Sequence, residues 1–236
     1  MVLCMPCNIS VVLVEPRFEG NIGSVARVMK NFDFSELILV NPCKIGNAAR
    51  MLSVHAWDVV ERAHIVSSFS ESISGFDVVV GCTGIVSTNC GEHVRTPAVS
   101  AKGLAELLSP ISGKIGIVFG REDRGLDNNE LAKCDIITSI PTSRDYQSMN
   151  LSHAVCVVLY ELSNITNGEV EVASSFEVDL LIEHFGKIMS ESGYSRHKHD
   201  KTMLMLKRIF GRTLLTAREV VTFRGILRQI QWRFKL

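Results

Sequence analysis

Residues 9–16 read ISVVLVEP, a run of apolar and mostly β-branched side chains stopped by a proline. A strand with one wet face alternates apolar and polar residues, whereas an unbroken run suits a strand covered on both faces of a parallel sheet. Similar runs recur as ELILVNP (36–42), FDVVVGCTG (76–84), KIGIVFG (114–120) and DIITSIP (135–141), with a weaker one at AHIV (63–66). Between them apolar residues return at helical spacing: Val25, Val28, Met29 and Phe32 share one face, and Leu151, Ala154, Val155, Val158 and Leu162 share another. Repeated strand and helix predict an α/β fold, a mostly parallel sheet flanked by helices.

The 236 residues are 46% hydrophobic, enough for one sizeable core and a small appendage. No apolar run reaches the roughly 18 residues that a membrane-spanning helix needs, and the start MVLCMPCNIS lacks the charged flank and apolar stretch of a signal peptide. No membrane partner is expected, and the default location is the cytoplasm. Seven cysteines, an odd number in apolar surroundings, read as reduced thiols. Cys4 and Cys7 form a lone C-x-x-C without a second pair, and His197 and His199 read as part of a solvated basic loop, so no metal site is expected.

The zero net charge conceals an asymmetry. Residues 1–175 hold 13 Lys and Arg against 19 Asp and Glu, a net of −6, while residues 176–236 hold 12 against 6, a net of +6. Residues 1–165 read as the α/β domain and residues 166–175 as a linker within a stretch poor in periodicity and rich in Asn, Gly, Ser and Thr. Residues 176–236 then read as a small all-α extension. Its helices are expected over 176–192, from a cap at Asp200 to Phe210 before Gly211, and from a cap at Thr216 onward. Lys201, Arg208 and Arg212 line one outer face, and Arg224 and Arg228 another. Such a single-sign stripe points to a polyanion. The extension reads as separable: removal of residues 170–236 is expected to weaken polyanion binding and leave the α/β domain's own small-ligand binding intact.

Three polar clusters sit where the apolar runs end. The first, EPRFEGNIGSVAR (15–27), has Gly20 and Gly23 before a helix expected to open near Ser24, and it matches neither a dinucleotide fingerprint nor a Walker loop. The second, FGREDRGLDNNEL (119–131), offers Asp127 as a helix cap but leaves the charged Arg121, Glu122 and Asp123 without a turn-forming reason. The third, IPTSRDYQSMNL (140–151), is dense in polar groups, and Ser148 or Asn150 could also simply cap the following helix.

Together NIGSVARVMKNF, IVFGREDRGL and IPTSRDYQSMNLSHAV resemble motifs one to three of the SpoU branch of the SPOUT methyltransferases. The tail HDKTMLMLKRIFGRTLLTAREVVTFRGILRQI is similar to the helical extension of the TrmJ-type tRNA 2′-O-methyltransferases. The resemblance implies a deep trefoil knot at the carboxyl end of the SPOUT domain, a homodimer packed through residues 150–162, and S-adenosyl-L-methionine as methyl donor. It implies transfer to the ribose of tRNA nucleotide 32, cytidine, with uridine acceptance open. Thr83, Gly84 and Ile85, Gly120, and Ile140 with Gln147, Ser148 and Met149 would hold the donor. Arg27, Ser148 and Asn150 would form the active centre, with Asn21 and Glu122 orienting Arg27 and the loops. Tyr146, Arg144 and Asp145 would stand at its rim, where an aromatic ring can stack on an unpaired base.

Two positions depart from the family pattern: Asp33 stands where glycine is expected, which requires a left-handed Asp, and Ile85 is bulkier than the small residue expected there. Rival readings are a SpoU-branch enzyme acting on ribosomal RNA, a non-catalytic RNA-binding SPOUT protein, and a flavodoxin-like nucleotide-binding protein. The basic tail and the missing phosphate loop speak against the last.

Overall fold

The computed structural model describes residues 8–86, 94–143, 145–163, 165 and 168–234. Cys4, Cys7 and Arg144 lie outside them. In chain order the elements are β1 (Ile9–Val14), α1 (Glu19–Asn31), β2 (Glu36–Val40), α2 (Asn47–Ser53), α3 (Trp57–Glu61), β3 (His64–Val66), α4 (Phe69–Ile73), β4 (Val78–Cys82) and β5 (Val99–Ser100). They continue as α5 (Ala101–Leu108), β6 (Ile111–Ser112), β7 (Ile115–Phe119), α6 (Asn128–Lys133), β8 (Ile136–Ser139), α7 (Leu151–Leu162), β9 (Val170–Glu171), α8 (Ser175–Glu191), α9 (Arg196–Thr213) and α10 (Ala217–Phe234).

Seven strands form one sheet in the order β3-β2-β1-β7-β4-β8-β5, every pairing parallel. In the middle Val11 aligns with Leu37 on one side and Ile117 on the other, and all three are buried. That is why the strand sequences do not alternate: side chains on one face enter a core with α1, α5 and α7, and those on the other meet Phe76, Leu126 and Leu131. The six expected strands are all present, and the two-residue β5 is an addition too short to carry a pattern. No helix among the described residues is long and apolar enough to cross a membrane.

Four expectations are corrected. Helix α1 opens at Glu19, not near Ser24, so Gly20 and Gly23 lie within it; a Cβ on Gly23 would come 2.1 Å from the Ala49 carbonyl oxygen, so this glycine serves the packing of α1 on α2. Within the presumed linker, β9 pairs with β6, and Val172 and Ala173 are buried. Helix α9 opens at Arg196 with Ser195 as the capping residue, so His197, His199 and Asp200 lie inside it. It also runs through Gly211, whose missing Cβ lets the helix press against the Asp135 carbonyl oxygen. Fourth, Arg208 leaves the outer basic face: it is 2% exposed, with its guanidinium on backbone carbonyls of the sheet domain.

Other local readings hold. Asp33 adopts φ 61, the left-handed conformation its position demands. Thr216, the expected cap of α10, and Glu219 exchange the two hydrogen bonds of a capping box; Ser174 with Glu177, which the sequence reading did not single out, does the same before α8. The extension has its own small core of Leu181, Phe210, Val220 and Leu227, yet it is docked: the Ala173 N–H donates to the Leu215 carbonyl at 2.7 Å, and Lys207 lies between Asp135 and Asp179.

Candidate active site

Strands β4, β7 and β8 end side by side, and the loops leaving them wall a cleft of about 630 Å³. This is where an open parallel sheet offers a site, because the carboxyl ends of neighbouring strands open into one crevice. Of the donor-site candidates, Thr83, Gly84, Gly120, Ile140, Gln147 and Met149 line it. Ile85 is 59% exposed and Ser148 is exposed, both beside the cleft without forming its wall in the single chain.

Close approach requires glycine at one of these places and favours it at another. A Cβ on Gly120 would lie 2.1 Å from the Gly125 carbonyl carbon, because the loop folds back through an Arg121–Gly125 bridge with Gly125 at φ 69. A Cβ on Gly84 would come to 3.3 Å from the Gln147 carbonyl oxygen, which would crowd the loops that follow β4 and β8. Between them the wall is apolar, supplied by Phe119, Leu151, Ala154 and Val158. These were missed in the sequence, although each flanks a polar cluster at a strand end or in the first turns of α7.

The charged cluster of the second loop has two separate duties. Arg121 is 6% exposed; its Nε donates to Glu15 at 2.7 Å and its two terminal nitrogens donate to Glu130 at 2.9 and 3.0 Å. The hydrogen bonds it donates to Glu15 and then Glu130 hold its guanidinium protonated even more firmly than usual. Glu130 also completes a capping box with Asp127, so Arg121 ties β1, the loop and α6 together.

Glu122 points the other way. Its carboxylate accepts from the backbone N–H groups of Arg17 and Phe18 at 3.0 and 3.2 Å, and from Asn21 Nδ2 at 2.9 Å. Burial pushes its pKa up, but the Asn21 hydrogen bond and the backbone donors outweigh this, leaving it below its ordinary value. The Asn21 side chain is then fixed in orientation, and its Oδ1 accepts from Asn150 Nδ2 at 3.2 Å. Asn150 is also the cap of α7, its Oδ1 accepting from the Ser152 N–H at 2.9 Å. The capping reading and the active-centre reading of Asn150 are thus compatible. One asparagine on α1 joins the second and third loops.

Arg27 lies six residues beyond Asn21 on α1, about 9 Å along the axis at 1.5 Å per residue. It is exposed and forms no hydrogen bond or ion pair with any described residue. Tyr146 is 76% exposed, and the loop from Asp145 to Asn150 stands in solvent throughout. On the extension Lys201 and Arg228 are exposed, Arg212 and Arg224 half-buried, and Arg208 enclosed.

A parallel sheet with its site in glycine-bearing loops at adjoining strand ends, followed by a helical extension, defines an α/β ligand-binding architecture whose class comparison makes specific. Residues 8–160 match the SpoU rRNA Methylase family, and the chain belongs to it. Residues 176–235 match the C-terminal domain of the tRNA methyltransferase TrmJ, which marks the chain as TrmJ-type within that family. The TrmJ of Methanocaldococcus jannaschii, a tRNA (cytidine-2′-O-)-methyltransferase, is 38% identical over 91% of this chain and 96% of its own. The TrmJ of Sodalis glossinidius, a tRNA (cytidine/uridine-2′-O-)-methyltransferase, is 32% identical over 95% and 91%. The crystal structure of TrmJ from Z. mobilis superposes with a TM-score of 0.72 at 26% identity, covering 94% of this chain and 98% of the other.

Proposed function

We propose that this protein transfers a methyl group from S-adenosyl-L-methionine to the ribose 2′-hydroxyl of tRNA, at cytidine 32 of the anticodon loop. The observation that carries the reading is the Glu122–Asn21–Asn150 chain of hydrogen bonds, which draws the three motif loops around one cleft. The cleft suits the donor in its lining: Phe119, Leu151, Ala154 and Val158 offer an apolar surface for an adenine ring, and loop residues with polar backbone and side-chain groups surround it. When bound there, the donor supplies an electrophilic methyl on a sulfonium. Thr83 and Gly84, Gly120, Ile140, Gln147 and Met149 would hold it, with Ile85 and Ser148 beside them.

The protein's part in the reaction is to place the hydroxyl in line with that methyl, which can account for roughly 7–11 kcal/mol of the barrier. A guanidinium with a pKa above about 12 is a poor base, so Arg27 does not take the proton. It grips the adjacent phosphate with its fork and stabilises the alkoxide as it forms, while the proton leaves to that phosphate or to water. Its exposure and lack of an internal partner leave the fork available. Asn21 and Glu122 hold the α1 end of the site. Tyr146 at the rim meets the anticodon loop, a role also proposed for Arg144, and Lys201, Arg212, Arg224 and Arg228 meet phosphates further away. The exposed stretch from Asp145 to Asn150 supports a homodimer in which the partner closes each site, and membership of the family brings the expectation of a trefoil knot beneath it.

Total tRNA incubated with the protein and methyl-labelled donor should carry label as 2′-O-methylcytidine at position 32, and Arg27→Lys should lower kcat at least a hundredfold with little change in donor affinity. Label confined to ribosomal RNA, or none in any RNA, would remove the assignment. Near-normal turnover by Arg27→Lys would remove the role given to its fork.

A further inference from the structure

Thr83 is a buried wall residue of the cleft, and its hydroxyl is fully engaged. It donates to the Ile85 carbonyl at 3.1 Å and accepts from the Ile85 N–H at 3.3 Å and from Arg95 Nη1 at 2.9 Å. The other terminal nitrogen of Arg95 donates to the Leu126 carbonyl at 3.2 Å. Leu126 follows Gly125, the residue on which Gly120 packs. A single half-buried guanidinium therefore clamps two of the three donor loops together.

The residue before it is held from elsewhere. Arg208 on α9 donates from Nη2 to the Val94 carbonyl at 3.0 Å and to the Leu131 carbonyl at 2.7 Å, and from Nη1 to the Cys134 carbonyl. No carboxylate receives any of these bonds, and its Nε has no hydrogen-bond partner among the described residues. An apolar side chain would fill the same space without removing a cation from water, so packing alone does not call for arginine here. What a guanidinium adds is a rigid fork that holds carbonyls from two separate segments in fixed relation. One of those carbonyls belongs to Val94, the residue joined to Arg95.

We propose that Arg95 is a positioning residue for the donor cleft and that Arg208 holds it in place, so that the helical extension sets the shape of the cleft. This rests on the cleft being the methyl-donor site. It reverses the expectation that removing the extension leaves donor binding intact, and it gives the buried Arg208 a purpose unrelated to RNA.

The test measures binding of S-adenosylhomocysteine to the full chain by calorimetry, with thermal unfolding of each variant and tRNA affinity alongside. Arg95→Met should weaken S-adenosylhomocysteine roughly tenfold or more and leave tRNA affinity unchanged, while Arg95→Lys should restore part of the loss. Arg208→Met fills most of the space but leaves the Val94, Leu131 and Cys134 carbonyls without this donor, so it should fold with a lowered Tm and, at temperatures where it is fully folded, bind S-adenosylhomocysteine more weakly. The double variant Arg95→Met with Arg208→Met should bind no worse than Arg95→Met alone, because Arg208 acts only through Arg95. A parent protein without S-adenosylhomocysteine affinity would remove the donor-site reading itself. A parent that binds, with Arg95→Met within twofold of it, would overturn the positioning role alone. Donor affinity unchanged in Arg208→Met, or additive losses in the double variant, would overturn the link to the extension; should Arg208→Met not fold, Arg208→Lys takes its place with the same criteria.

Discussion

The cleft end of the sheet domain and the helical extension use polar side chains in opposite ways. Around the cleft, the decisive contacts join residues far apart in sequence: Arg121 with Glu15, Glu122 with Asn21, and Asn150 with Asn21 are each separated by more than 100 positions. In the extension most are local, as in the Ser174–Glu177 and Thr216–Glu219 caps, and the remaining cations mostly face outward. The contrast follows from the two tasks. A site that must hold two reactants within a few tenths of an ångström needs its groups fixed from several directions, whereas a surface that attracts a polyanion needs only charge in roughly the right place. Arg208 breaks the pattern, and for that reason it belongs functionally with the first region.

The sharpest way to break this contrast is to remove a long-range contact from the first region. Arg121→Leu would leave Glu130, itself buried, without its cation, and Glu15 with only the longer Arg124 contact at 3.7 Å. Breaking an enclosed pair from one side costs about 3–5 kcal/mol. Urea unfolding should show a loss of that size, together with weakened donor binding, since Arg121 also lines the cleft. A loss below about 1 kcal/mol would mean that the loop is held chiefly by its backbone bridge.

How much of this was readable beforehand follows the same division. The strands were legible because each is a short unbroken apolar run, and the caps at Asp127 and Thr216 because a cap and its partner lie within three residues. Gly23 was misplaced because a glycine needed for a turn and one needed for helix packing look identical in sequence; only the Ala49 carbonyl beyond it decides. Arg208 was placed outside because it shares a helix face with Lys201 and Arg212, and nothing within α9 signals that Cys134 and Leu131 wait on the other side. The motif loops were recognisable as a set, yet their joining through Asn21 depends on which way two amides point. Arg95 carried no signal, since its partners are a hydroxyl and a carbonyl 12 and 31 positions away.

A smaller effect separates the regions by pH. Glu122 titrates below its ordinary value in the folded protein, so it adds stability above the unfolded carboxyl pKa of about 4.3. That contribution disappears as pH falls through the lower folded value. Glu122→Gln should therefore lower stability at neutral pH by about 1 kcal/mol or less, given the partial exposure of the group, and flatten the acid side of the stability profile. Glu219, fully exposed, is also held below its ordinary value, by the Thr216 backbone and hydroxyl. Its replacement should change donor binding at no pH, whereas Glu122→Gln should weaken it at every pH above the folded pKa.

The smallest expected change in stability comes from the outer face of α10. Arg228 is exposed and sits one turn beyond Arg224 on the same side, so Arg228→Ala removes charge without opening the core of Leu181, Phe210 and Leu227. Unfolding should shift by no more than about 0.5 kcal/mol. If Arg228 meets an RNA phosphate, the plot of log affinity against log salt should become shallower by about 0.7–0.9, one counterion's worth, with kcat at saturating tRNA unaltered. A change in kcat with an unchanged salt slope would reverse the assignment, making the face of α10 part of the site and dissolving the distinction between a region that positions and a region that attracts.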